Sequence, residues 1–506
     1  MLKVLINLLI LFISWLVLIE ARKHDLVGAK ETLIHGHGLK PDEVVLPARY
    51  FFIHASTPEG VLFDESPPLS FEVQIVGNSA HGRCRSQVDV IDRGDGTFWA
   101  RYKIIDNWCD NVEIHVRYNG SHVAKSPYYI WNRVYSEKCY CPTELNLWMI
   151  NNECKSASQE EQIVSDLHSF KRVNFSLIRD NLVKRYNQPE SISLCHYIVK
   201  DQQIWRKCYG KYDGFKMFMD ATLLALGRVV QLPDMEFFLN LGDWPLSKKG
   251  GQQRTSGPYP IFSWSGSNDS HDIVLPTYDI TESTLGIMER VTLDMLSVQR
   301  SKYLWDDKID KLFWRGRDSR RERLDLIDLA RQRPDLIDAA ITNFFFFRDE
   351  EQKYGPRVDH ISFMEFFKYK YQLNIDGTVA SYRLPYLLAG GSVVFKQTSP
   401  YYEHFYGKLQ PYQHYIPVKR DLSDLIDNIE WAKEEKNQKL VQEIAKKSRE
   451  FAVNNLLPRN IYCYHMALFK EWSQRLVSPI NVLPDMERVR EKNACSCKDT
   501  HVKDEL

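Results

Sequence analysis

Asp243 stands in the stretch LGDWP, where an apolar run from Met235 to Leu241 stops. Gly242 lets the backbone leave a strand sharply, and Pro245 removes an amide donor and ends pairing. A carboxylate left at the mouth of a sheet, beside the indole of Trp244, loses water and holds its proton more tightly. Such a group can take a proton from an alcohol. An aspartate that does no more than cap its turn would sit in the same place. Two further stretches bring cations to corners of the same kind. In WRGRDSRRER, residues 314–323, a strand ends, Gly316 lets the backbone turn, and a helix is expected from about 319 with Asp318 or Ser319 as its cap. Free amides at a helix N-terminus attract anions, and the guanidinium forks of Arg317 and Arg323 match phosphate oxygens. A solvated basic turn would have the same composition. In DGTVASYR, residues 376–383, a strand again ends at a glycine, and a helix is expected from about Thr378. Small side chains there let a ligand approach the backbone, and Arg383 lies one helical turn past Val379. A tight helix–strand crossing asks for the same residues.

Two arginine-bearing corners point to a bound diphosphate. The chain contains no D-x-D. A metal-chelating pair of that type is therefore absent, and arginines and amide dipoles must offset the phosphate charge. His271-Asp272 follows an apolar run at 260–265 and, with Trp244, is expected on the acceptor side of such a site.

Corners do chemistry together only if the elements bring them to one edge. From about residue 160, helical stretches alternate with short apolar runs: 235–241, 260–267, 311–315, 339–347, 368–376, 392–397 and 414–420. Phe344 to Phe347 read as part of a core strand. Long helices are expected over 212–230, 421–436 and 438–455. Strands alternating with helices predict a parallel sheet, and so many of them predict two. Ligands of such folds sit beyond the carboxyl ends of the strands.

Residues 40–130 follow another rule. Phe71, Val73 and Ile75 alternate with polar residues, as do Val112, Ile114, Val116 and Tyr118. That period of two marks strands with one buried face. Asp95-Gly96 marks a tight turn. Strands about ten residues apart suggest an immunoglobulin-like sandwich.

The ends of the chain speak about compartment. MLKVLINLLILFISWLVLIEA, residues 1–21, has the form of a secretory signal peptide, with an uncleaved anchor as the alternative. The chain ends in KDEL, a receptor-read retrieval address. Together they predict a soluble protein of the endoplasmic reticulum lumen, with no membrane span after cleavage. The ten cysteines should mostly pair there. None forms a C-x-x-C, which speaks against a thioredoxin-like or zinc site. The sequons at Asn119, Asn174 and Asn268 are candidate glycosylation sites. Basic and acidic residues number 66 each, so a nucleic-acid partner is not favoured.

The stretches LPDMEFFLNLGDWP, FWRGRDSRRER and NIDGTVASYR, with the terminal KDEL, resemble the KDEL-containing protein O-glucosyltransferases of glycosyltransferase family 90. Residues 92–102, 112–120 and 122–128 resemble a filamin-type repeat. The resemblance implies a multidomain chain: an N-terminal immunoglobulin-like (filamin-type) β sandwich followed by an α/β GT-B body of two Rossmann-like halves. Its expected boundaries are a signal peptide at 1–21, the sandwich at 27–132, a cysteine-stapled linker at 133–158 and an acceptor-side half at 159–305. A donor-side half follows at 306–445, then returning helices at 446–480 and a tail at 481–506.

The implied reaction moves glucose from UDP-glucose to a serine hydroxyl of EGF-like repeats. It inverts the anomeric centre and needs no metal. The implied base is Asp243. The implied donor-binding residues are Arg317, Arg323, Val379, Ala380, Ser381, Tyr382, Arg383 and Leu384; some members carry Ser where this chain has Arg317. The resemblance also suggests disulfides Cys195–Cys208 and Cys139–Cys463, with Cys141–Cys154 to follow, although sequence alone leaves connectivity open. Partners would be EGF-like repeat proteins and the KDEL retrieval receptor. The competing expectations are a catalytically inactive lumenal adaptor or chaperone that binds clients through its filamin-type domain, and a transferase with another acceptor such as a polysaccharide.

Overall fold

The computed structural model describes residues 27–43, 49–188, 190–191, 194–250, 258–285, 304–491 and 495–497. The expected signal peptide and the KDEL tetrapeptide lie outside the described residues. Among the described residues, no helix is long and apolar enough to cross a membrane. The chain divides into two compact units, with the boundary between Cys141 and Pro142 and the chain regained by the first unit from Asn493.

The first unit is a β sandwich. One antiparallel sheet runs in the order Leu33–His35, Arg49–His54, Thr97–Ile104, Ser86–Asp92; the other is built around Trp108–Tyr118, paired with Glu72–Ser79 on one side. The alternating residues Phe71, Ile75, Val112, Ile114 and Val116 point into one core with Phe51, Phe98 and Tyr102. Gly96 has φ +77, and a Cβ there would stand 2.2 Å from the Phe63 carbonyl oxygen, so only glycine fits this turn.

Two disulfide expectations are corrected. Cys139 is bonded to Cys495 and Cys141 to Cys497, while Cys154 is bonded to Cys463. Cys139–Tyr140 and Cys495–Ser496 form a parallel pair, with Cys139 directly opposite Cys495. Successive side chains alternate faces in a strand, so two C-x-C motifs in register present matching thiols two residues apart. Cys84–Cys109 and Cys195–Cys208 complete the set, and no described cysteine is free.

Among its described residues the second unit holds two large sheets and a two-stranded one, Gly266–Ser267 with Tyr401–Tyr402. The first is mixed rather than parallel. Its order is Ile273–Val274, Ile261–Ser263, Met235–Asn240, Leu194–Lys200, Gln203–Tyr209, Glu487–Val489, and only the first three run parallel. One antiparallel pair, Leu194–Lys200 with Gln203–Tyr209, follows from a two-residue hairpin turn, where Asp201 and Gln202 take φ of +49 and +60. The second sheet is wholly parallel, in the order Ile337–Asn343, Ile309–Arg317, Tyr369–Asn374, Val393–Gln397, Ile416–Val418. Its strand order reverses between Ile309–Arg317 and Tyr369–Asn374. Chains leaving such neighbours diverge to opposite faces and open a crevice at the carboxyl ends. Helix Gln438–Asn455 buries Val441, Ile444, Ala445, Ser448 and Ala452 at helical spacing. Helix Pro458–Ser473 lies on the first sheet, where the Trp472 indole donates to the Glu236 carbonyl at 2.9 Å.

Three local expectations shift. The strand at 339–347 ends at Asn343, and Phe345 and Phe346 are exposed while Phe344 is buried. The amides of Phe345, Phe346 and Phe347 donate to the carboxylate of Asp318 and so leave the ladder. Asp318 is therefore committed to that loop and does not cap the helix Arg321–Gln332, whose N-cap is Arg320. No helix begins at Thr378; the helix is Leu384–Ala389. The carbonyls of Gly377 and Thr378 are taken by the guanidinium of Arg320, so they do not start a helical ladder.

Candidate active site

The crevice of the parallel sheet opens into a cavity of about 340 Å³ that Asp243 and Tyr278 also line. Asp243 arrives from the first sheet, three residues past the end of Met235–Asn240. Burial pushes its carboxyl above the usual carboxylate range, against the attraction of Arg317. Its apolar wall is not Trp244, which is half exposed and outside the cavity. The wall is a pair of tyrosines: Tyr278 and Tyr382 stand edge to face at 5.5 Å, and burial first, then the charge of Asp243, raises the proton affinity of both.

The arginines have divided roles. Arg323 is 5% exposed, and its donors reach the carbonyls of Asp376 at 2.7 Å, Arg317 at 2.8 Å and Ile375 at 3.2 Å. It thereby ties one strand-end loop to the other. Burial first, and the charge of Arg383 second, lower its pKa. A Cβ on Gly377 would come within 3.2 Å of this guanidinium, which is why glycine suits that corner. Arg383 donates to the Arg315 carbonyl, and burial lowers its pKa too. Arg315 pairs with Asp338 at 2.6 Å. Arg317 is exposed at the end of its strand and faces Asp243. Buried cations crowded around a cavity are strained by mutual repulsion, and an anion placed among them relieves it.

Val379, Ala380, Ser381 and Tyr382 line the same cavity. The Tyr382 hydroxyl is buried without a hydrogen-bond partner, as is the Thr342 hydroxyl on the opposite corner. Both are ready to bond a polar ligand. Leu384 is corrected: it is 0% exposed and belongs to the core under the helix it begins. Asp272 is likewise corrected. It is 1% exposed and binds backbone, out of reach of an acceptor. His271 lies outside the cavity, its Nδ1 3.3 Å from the Ser169 hydroxyl.

Sequence reasoning missed Tyr278, Arg315, Thr342, Phe363 and Phe366, which also line the cavity. Arg315 carried a signal, since it lies in the quoted arginine-rich corner. Phe363 and Phe366 carried none, because they sit on a four-residue helix at the amino end of the strand Tyr369–Asn374, where ligand sites are not expected. Of the sequons, Asn119 and Asn268 are exposed, whereas the Asn174 side-chain oxygen is buried.

Residues 151–505 match the family model Glycosyl transferase family 90, and residues 27–129 match Filamin/ABP280 repeat. The chain is 46% identical over 486 residues to Protein O-glucosyltransferase 2 of Danio rerio, covering 95% of each. It is 43% identical over 468 residues to Protein O-glucosyltransferase 3 of Homo sapiens, covering 92% of this chain and 91% of that one. It is 34% identical over 292 residues to Protein O-glucosyltransferase 1 of Rattus norvegicus, covering 56% of this chain and 72% of that one.

Proposed function

Because this chain belongs to glycosyltransferase family 90, we propose that it is an inverting protein O-glucosyltransferase that moves glucose from UDP-glucose to a serine hydroxyl of EGF-like repeats. The observation that carries the reading is one carboxylate at the end of one sheet facing an arginine-lined cavity at the end of another. The parallel sheet is the donor-side half of a GT-B body, and the mixed sheet is the acceptor-side half.

In the reaction, the Asp243 carboxylate takes the proton of the serine hydroxyl. The serine oxygen attacks the anomeric carbon as the bond to the diphosphate oxygen breaks, and UDP leaves with that electron pair. Attack opposite the leaving group inverts the centre. The developing diphosphate charge meets Arg317 and the Arg323–Arg383 cluster, which supply positive charge without a metal. The Tyr382 and Thr342 hydroxyls offer hydrogen bonds to the bound donor. The leader-like residues 1–21 and the terminal KDEL support residence in the endoplasmic reticulum lumen.

The test is UDP release from UDP-glucose with a folded EGF-like repeat. Asp243→Asn should lower kcat by about 10²–10⁴ with an unchanged thermal midpoint. Equal release by wild type and variant would overturn the base assignment. No glucose on the repeat by mass spectrometry would favour the inactive adaptor or another acceptor.

A further inference from the structure

The loop that carries Asp243 is clamped from behind. The Oδ2 of Asp272 accepts the amide of Ser247 at 2.7 Å. Its Oδ1 accepts the amide of Leu246 at 2.9 Å and the hydroxyl of Ser263 at 2.6 Å. Asn240 completes the clamp from the other flank. Its Oδ1 accepts the amide of Gly242 at 2.9 Å, and its Nδ2 donates to the Trp244 carbonyl at 2.8 Å and to the Ser263 hydroxyl at 3.2 Å. Backbone groups before and after Asp243 thus converge on one Asp–Ser–Asn unit, and none of these bonds uses the Asp243 carboxylate itself. Asp272, Ser263 and Asn240 are all buried, and none of them lines the cavity.

A chain that had only to turn at this point already has Gly242 and Pro245. Burying a carboxylate is costly unless its oxygens are well bonded. Here two of the bonds that compensate it come from the backbone of the Asp243 loop, and the third from Ser263, which also bonds Asn240. A general base must sit within hydrogen-bond reach of the proton it takes, and supporting groups set that geometry. Resting on the function proposed above, we propose that Asp272, acting with Ser263 and Asn240, is a positioning residue that holds Asp243 at the distance and angle needed for the acceptor hydroxyl.

Asp272→Asn keeps the side-chain volume but turns one acceptor oxygen into a donor that opposes a donor. Steady-state kinetics of the full chain with UDP-glucose and an EGF-like repeat should show kcat lowered about 10²-fold, the scale of a misplacement near 1 Å. KM for UDP-glucose and UDP affinity by calorimetry should stay within about twofold, because the arginine corners are untouched. Ser263→Ala removes a single hydroxyl, serves if Asp272→Asn fails to fold, and should lower kcat by a smaller factor with the same unchanged KM. Normal kcat in both variants overturns the positioning role. So does a loss of UDP affinity that matches the loss of kcat, since that marks a general structural defect. If wild type transfers no glucose, or Asp243→Asn transfers it at the wild-type rate, the reading beneath has failed and this role falls with it.

Discussion

Arg317 and Arg323 stand in one corner and have opposite duties. Arg323 is buried and spends its donors on backbone carbonyls, so it is first a brace and only second a charge. Arg317 is exposed and faces Asp243. Arg317→Ala should weaken UDP binding about tenfold or more, the scale of a lost charged hydrogen bond, with no change in thermal midpoint. The same change should move the acidic limb of kcat/KM to higher pH. The sign follows from the base: Asp243 must be deprotonated to act, burial already raises its pKa, and Arg317 holds that rise back. Arg323→Lys should instead lower the thermal midpoint and donor affinity together, because one ammonium cannot span both strand-end loops. Calorimetry and a pH–rate series read both outcomes.

At the scale of elements, the site depends on loops that replace expected secondary structure. The four-phenylalanine run leaves its strand because Asp318 takes three of its amides. The stretch from Gly377 stays non-helical because Arg320 and Arg323 hold its carbonyls and those just before it. The stretch from Gly377 to Arg383 ends up as a wall of the cavity, and the loop at 344–347 follows Thr342, which lines the cavity. Asp318→Ala leaves three partly buried amides without their acceptor and should cost about 1–3 kcal/mol of stability, read by denaturant unfolding. Asp318→Asn keeps one acceptor and should fall between the variant and wild type. UDP affinity should drop with Asp318→Ala, since Arg317 and Ser319 flank the lost anchor.

At the scale of the molecule, each unit closes on itself through distant cysteines. In the second unit, Cys154–Cys463 spans 309 residues and joins an early segment to the long helix on the mixed sheet. Cys154→Ser with Cys463→Ser should lower stability by about 2–5 kcal/mol, read as a reduced thermal midpoint, while kcat at 25 °C stays near wild type because neither cysteine lines the cavity. In the first unit, the paired bonds Cys139–Cys495 and Cys141–Cys497 hold the chain just ahead of its last residues.

Local pattern was enough to read the sandwich, the run of strand-end corners, and the Asp243 carboxylate and arginines that share one cavity, because alternation and glycine exits act over a few residues. Pattern was also enough to match the motifs of a family. Three things needed the tertiary structure. The partners of Cys139, Cys141 and Cys154 are set by which strands and helices meet hundreds of residues later, and thiol spacing does not encode that. The loops at 344–347 and 377–383 lost their expected strand and helix to side chains elsewhere, Asp318 and two arginines, that outcompete local propensity for backbone hydrogen bonds. The change of Asp272 from an expected acceptor-side contact to a buried anchor was decided by the register of three parallel strands, which turns its carboxylate inward to the loop beside Asp243.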